Sequence, residues 1–132
     1  MIEVNGNYDS QNILNENELV GKISFLKKKN RTIGLCIGAF DLLHPGHIAH
    51  LISAKKFCDV LVVGVTSDKH VSKRKRRNPI FNEHMRAYSV SQIKSVDYVF
   101  ISNYLTADKV ITLIKPDVYI KGPDYANKNT PG

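Results

Sequence analysis

The sequence predicts an α/β domain: one open, doubly wound parallel sheet with helices on both faces. Three observations lead there. The length, 132 residues, suits one domain. Strand-like and helix-like stretches alternate four times, the order that right-handed βαβ crossovers require. The run Val60-Leu61-Val62-Val63-Gly64-Val65 is almost wholly apolar, as a central parallel strand covered on both faces must be.

The elements follow in order. Residues 1–14 are polar, Asn-rich and without a clear period, and read as a loosely ordered lead-in. From Glu16 to about Lys29, Leu19, Ile23 and Leu26 share one helical face, and Lys27-Lys28-Lys29 suits a helix C-terminus. Thr32–Ile37 reads as the first strand, ending at Gly38, and a helix begins near Gly46 with Ile48, Leu51 and Ile52 inward. The second strand is Val60–Val65. A basic loop follows, punctuated by Asn78-Pro79. Asn82 caps a helix from Glu83 to about Lys94, with Val90 and Ile93 inward. Asp97–Ile101 is the third strand, Thr106 caps a short helix carrying Val110, Ile111 and Ile114, and Pro116 ends it. Val118-Tyr119-Ile120 is the fourth strand. The domain is expected to run over residues 15–125, with a mobile polar tail at 126–132.

Composition narrows the function classes. The apolar fraction is 42% and the charged fraction 23%, ordinary for a globular protein, which excludes collagen-like and low-complexity readings. No apolar run reaches the roughly 18–20 residues of a membrane span, and the first residues lack the pattern of a signal peptide. Two cysteines, Cys36 and Cys58, show no metal spacing, so a reducing cytoplasm is the expected home. With 19 Lys and Arg against 12 Asp and Glu, the net charge of +7 favours anionic partners. Lys73-Arg74-Lys75-Arg76-Arg77 concentrates that charge; a solvated loop, a phosphate-gripping loop and a nucleic-acid patch all fit it.

In open parallel sheets, ligands sit beyond the carboxyl ends of the strands, where the strand order reverses. The unusual residues fall there. Gly38–His47 follows the first strand, Thr66-Ser67-Asp68 the second and Lys121–Tyr125 the fourth. In Gly38-Ala39-Phe40-Asp41-Leu42-Leu43-His44-Pro45-Gly46-His47, two imidazoles lie three residues apart at a helix start, where unpaired amides and the helix dipole favour an anion. Pro45 fixes one backbone angle and Gly46 allows close approach. The spacing also suits a metal, but no third ligand is evident nearby and His50 lies on a different side of the helix from His44, so no metal ligands are expected; a plain helix cap is the other reading.

The pattern Gly-x-Phe-Asp-x-x-His-x-Gly-His resembles the signature of the cytidylyltransferase-like nucleotidyltransferases, and the likeness extends from about Leu14 to Tyr125. The leading helix, Thr66-Ser67-Asp68, and Lys121-Gly122 with Asp124-Tyr125 make the chain most similar to adenylyltransferase domains that make ADP-heptose from a heptose 1-phosphate. Glycerol-3-phosphate cytidylyltransferases share the histidine motif. The resemblance implies a Rossmann-like fold. It also implies in-line attack of a substrate phosphate on the α-phosphorus of an NTP, ATP ahead of CTP, with release of pyrophosphate and no covalent enzyme intermediate. His44, His47 and Lys75 are then expected to stabilise the reacting phosphates, with Lys73 as a stand-in for Lys75. Gly38, Ala39, Phe40, Asp41, Gly46, Arg86, Lys121, Gly122, Asp124 and Tyr125 are expected around the nucleotide, Asp41 chiefly ordering its loop and Arg86 gripping phosphate. Mg²⁺ is expected to ride mainly on substrate phosphates, a homodimer is compatible with the resemblance, and neither a membrane nor a nucleic acid is expected as a partner. The family closes with a further strand and a phosphate-binding helix that residues 126–132 are too short to supply, so the chain is either a fragment of a longer protein or a reduced, nucleotide-binding-only domain; a CTP-dependent cytidylyltransferase acting on glycerol 3-phosphate or another alcohol phosphate is the other alternative. Ala39, and Asn78 before Pro79, also depart from the common family residues.

Overall fold

A computed structural model describes residues 1–2 and 6–122. Within it four strands form one sheet in the order β3-β2-β1-β4: β1 (Ile33–Gly38), β2 (Val60–Thr66), β3 (Tyr98–Ser102) and β4 (Val118–Tyr119). Every pairing is parallel, with Ile33 opposite Val60, Val62 opposite Tyr98, and Gly34 opposite Val118. All seven residues of β2 are buried, as expected of a strand covered on both faces.

Five helices complete the layers: α1 (Glu16–Lys28), α2 (Pro45–Lys55), α3 (Asp68–Lys75), α4 (Glu83–Ser91) and α5 (Asp108–Ile114). Leu51 and Ala54 of α2 and Ala87 and Val90 of α4 pack with Cys36, Leu61, Val63 and Val99. On the other face, Leu19 and Ile23 of α1 and Val110 and Ile114 of α5 pack with Leu35, Val62 and Phe100. The fold is therefore the doubly wound, Rossmann-like α/β sandwich expected of the sequence.

Local chemistry explains most boundaries. Asn15 and Glu18 close a reciprocal capping box at the start of α1 (2.8 and 2.9 Å). Asn82 caps α4 by accepting from the Met85 amide at 2.9 Å. At α5, however, Ala107 occupies the cap position without a side-chain bond, so Thr106 does not serve as the expected cap.

Three further expectations are corrected. The basic stretch is not a loop: Lys73, Arg74 and Lys75 form the last turn of α3, and only Val71 of that helix is buried. Cations suit a helix C-terminus, and Arg76 ends the helix in the left-handed region (φ 57°). On α2 the inner face runs through His47, His50, Leu51 and Ala54, while Ile48 and Ile52 are exposed. Residues 12–14, read as part of a loose lead-in, run along the outer edge of β3. The Leu14 amide donates to the Val99 carbonyl at 2.8 Å, and the Val99 amide to the Asn12 carbonyl at 2.9 Å. This covers a sheet edge that would otherwise present unpaired backbone groups. Asp124, Tyr125 and the tail lie outside the described residues. Among the described residues, no helix is long and apolar enough to cross a membrane.

Candidate active site

The strand order reverses at β1, with β2 on one side and β4 on the other. The crevice beyond the carboxyl ends of β1 and β4 is thus where an open α/β sheet takes its ligand. The chain turns sharply there. Phe40 sits in the left-handed region at φ 51°, a strained position for a bulky side chain, and its ring is nearly buried. The ring folds back over Gly38, where a Cβ would lie 2.9 Å from it. Glycine is therefore required at position 38. The other side of the Phe40 ring meets His47 edge-on, with centroids 5.8 Å apart.

Asp41 leaves this turn almost fully buried and takes backbone donors from a distant segment. Ile80 N–H lies 2.9 Å and Phe81 N–H 3.0 Å from its carboxylate, and Arg77 is at 3.5 Å. Burial pushes the carboxyl up. The Phe81 and Ile80 amides, helped by Arg77 and the charge of Arg86, outweigh it and hold the acid below its ordinary value. Asp41 thereby ties the β1–α2 turn to the segment that follows α3.

His44 is the N-cap of α2 and His47 its third residue, with Pro45 at the first helical position. The Gly46 amide donates to His44 Nδ1 at 3.0 Å, and the His44 amide donates to His47 Nδ1 at 3.2 Å. The two rings are 4.0 Å apart. This is a capping box built from two imidazoles. A backbone N–H can only donate, so both Nδ1 atoms accept, which leaves Nε2 as the N–H-bearing nitrogen of each ring. Burial lowers the pKa of His47, and the neighbouring His44, His50 and Lys75 lower it further. His47 is accordingly a neutral Nε2–H donor near pH 7.

Of the other expected site residues, Lys75 is brought near, since its charge is felt at His47. Lys73 lies exposed in the same helical turn. Lys121 and Gly122 follow β4, whose register with β1 carries them toward the carboxyl end of β1; Lys121 is exposed. Gly46 contributes its amide to His44.

Arg86 stands differently from its expected role. Its side chain is fully buried, and its guanidinium donates to the carbonyls of Phe81 (2.9 Å), Ala39 (2.8 Å) and Thr66 (2.7 Å) and to Asp68 Oδ1 (2.6 Å). These partners occupy the fork and join the turn after β1, the end of β2 and the start of α3 and α4. Arg86 is a structural hub in this arrangement. The partner role of Asp68 was not legible in advance, because the two residues are 18 positions apart on separate helices.

A metal reading of the histidines finds no support. Among the described residues there is no group of three or more His, Cys, Asp or Glu side chains that could hold a metal. Cys36, 3.9 Å from His50 Nε2, is buried, which pushes its thiol up to about 11.

The cytidylyltransferase-like family profile matches residues 35–130, most of the chain. The chain belongs to the cytidylyltransferase-like family. It is 41% identical over 118 residues to the bifunctional protein HldE of a Nitratiruptor species, covering 89% of this chain and 25% of that protein. It is 36% identical over 121 residues to HldE of a Bradyrhizobium species, covering 91% of this chain and 25% of the relative. The chain thus spans about a quarter of the length of these curated relatives. A crystal structure of the lipopolysaccharide core biosynthesis protein from Thermoplasma volcanium superposes with a TM-score of 0.62 at 34% identity, covering 67% of this chain and 72% of that one. This cytidylyltransferase-like chain is therefore a nucleotidyltransferase-family domain whose histidine motif stands at the strand-order reversal.

Proposed function

We propose that this domain transfers a nucleotidyl group from an NTP, ATP ahead of CTP, to a phosphorylated sugar such as heptose 1-phosphate. The observation that carries the reading is the two-imidazole capping box beside Lys75 at the mouth of the sheet. The likeness to HldE proteins, and to a protein of lipopolysaccharide core biosynthesis, favours a sugar phosphate as acceptor.

In the proposed reaction a phosphate oxygen of the acceptor forms a bond to the α-phosphorus as the bond to pyrophosphate breaks. The nucleophile is already an anion, so positioning and charge neutralisation matter more than proton transfer. His44 and His47 donate from Nε2 to the phosphate oxygens on which charge develops. Lys75, with Lys73 behind it, neutralises the triphosphate. Gly38, Ala39 and Phe40 line the nucleotide with backbone, and Lys121 and Gly122 flank it. Asp41, Gly46 and Arg86 hold this arrangement in place. The described residues offer no protein-built cage for Mg²⁺, so in this proposal the ion is carried by substrate phosphates.

The test is pyrophosphate release from ATP and CTP against a panel of sugar and polyol phosphates. His44→Asn keeps a good N-cap but removes the Nε2 donor, and His47→Ala removes the second donor. Each is expected to lower turnover by on the order of 10²-fold with the fold retained. Wild-type turnover in both variants, or no pyrophosphate from any pair while ATP still binds, would overturn the proposal.

A further inference from the structure

We propose that the edge opposite the candidate site, formed by the amino ends of the strands, docks onto an anionic lipid surface. The chain carries two basic regions. One is α3, beside the histidines. The other lies where α1, α2 and α5 run down to the starts of β1, β2 and β4. There α1 ends in Lys27, Lys28 and Lys29, followed by Arg31; Lys55 and Lys56 close α2, and Lys115 caps α5. Lys27 reaches the Lys115 carbonyl, so the ends of α1 and α5 are contiguous.

The carboxylates of this edge each take a backbone amide at a strand start, with Asp59 and Asp117 themselves exposed, so the edge is cationic by excess of Lys and Arg rather than free of acids. Asp59 accepts from the Thr32 amide at 2.9 Å, Asp117 from the Ile33 amide at 2.7 Å, and Asp97 from the Leu61 amide at 2.7 Å and from Lys55 at 2.5 Å. They fasten the strand starts, while Lys28, Lys29, Arg31, Lys56 and Lys115 are exposed.

Lysine at a helix C-terminus complements the dipole. That accounts for part of the charge but not for the aromatic residues among it. Phe57, just past α2, is 68% exposed, and Phe25, with Lys29 Nζ 5.0 Å from its ring centre, is 53% exposed. Exposed aromatic rings beside outward cations match the two terms of peripheral membrane binding: charge attraction to anionic headgroups and shallow apolar insertion. A duplex nucleic acid needs the cations, but its bases are already stacked on one another and do not use exposed rings such as Phe25 and Phe57. This surface is remote from the proposed catalysis and does not depend on it.

The experiment is co-sedimentation of the chain with phosphatidylcholine vesicles, with and without phosphatidylglycerol. Binding is expected only with the anionic lipid, and is expected to fade with salt. Lys28→Glu, Lys29→Glu and Arg31→Glu together should weaken it by about a hundredfold, and Phe57→Ser several-fold at unchanged charge. Arg74→Glu with Arg76→Glu, at the C-terminal end of α3, should leave it intact. Unfolding midpoints confirm that each variant is folded. The proposal is overturned by no binding to anionic vesicles at low salt, by loss in the α3 variant with retention in the α1 variant, or by indifference to Phe57→Ser together with equally tight binding of duplex DNA.

Discussion

Replacing Arg86 separates a scaffold from a substrate contact, because the two roles move different observables. Its guanidinium is fully buried and makes four hydrogen bonds between 2.6 and 2.9 Å, three to carbonyls and one to Asp68. Arg86→Leu leaves those acceptors without their donor. Breaking a buried charged pair costs about 3–5 kcal/mol. Asp68 is 39% exposed and recovers hydration, which places the cost near the lower end, about 3 kcal/mol. Against a total of about 5–15 kcal/mol this is a large fraction. For a domain of this size it corresponds to a fall of about 10 °C in Tm. Arg86→Lys supplies one point charge in place of a fork and should recover only part of the loss. The assay is thermal and urea unfolding of both variants by circular dichroism, alongside nucleotide affinity. A Tm within about 2 °C of wild type together with weakened nucleotide binding would refute the hub and restore a phosphate-gripping arginine.

The remaining outcomes concern a ring and a strand. In NMR titrations His47 should titrate below the ordinary histidine value and hold its proton on Nε2 near pH 7. The unfolded chain takes up that proton near pH 6.5 while the folded one stays neutral, so stability present above pH 6.5 is lost as pH falls toward the folded value. His47→Gln should remove its share of this fall and leave that of His50, whose pKa burial also lowers; an Nδ1–H tautomer in wild type would contradict the capping geometry. Gly64→Ala places a Cβ 2.7 Å from the Phe100 ring and 3.2 Å from Ile37 in the centre of the sheet, and should cost about 1–3 kcal/mol in urea unfolding. Phe100→Leu in the same chain should recover part of that cost, and failure to do so would locate the strain elsewhere.

Strands and their order of appearance were legible because a buried parallel strand must be continuously apolar, as Val60–Val65 is. The placement of the histidine turn followed, since function gathers where strand order reverses. The helices were legible only where they bury aliphatic residues. Helix α3 buries only Val71, so its cations read as a loop. On α2 the inward stripe includes two histidines, and counting aliphatic residues alone turned Ile48 and Ile52 the wrong way. Arg86 and the loop-ordering Asp41 are both singled out by the family resemblance, but what they bond to was not legible, for another reason. Their partners, Ala39, Thr66 and Asp68 for one and Ile80 and Phe81 for the other, are backbone or side-chain groups far away in sequence. No local periodicity records such bonds.

The two-imidazole cap explains why a turn this strained suits the chemistry proposed for it. An ordinary capping box uses short oxygen-bearing side chains whose acceptors are consumed by the backbone. An imidazole accepts at Nδ1 and still donates at Nε2, so one residue can end a helix and face an anion. The orientation of the rings is then set by backbone geometry rather than by flexible linkers. Phe40 supports His47 edge-on, and its φ of 51° over Gly38 brings it there. Asp41 fixes the next residue of the turn to Ile80 and Phe81. A donor held in this way need not reorganise when charge shifts on a phosphate, which is the condition under which hydrogen bonds accelerate rather than merely bind. Lysines alone could neutralise the triphosphate, but their long, flexible side chains would have to be ordered during the reaction. The proposed division of labour between imidazoles fixed on α2 and long-chain lysines on α3 follows from that difference.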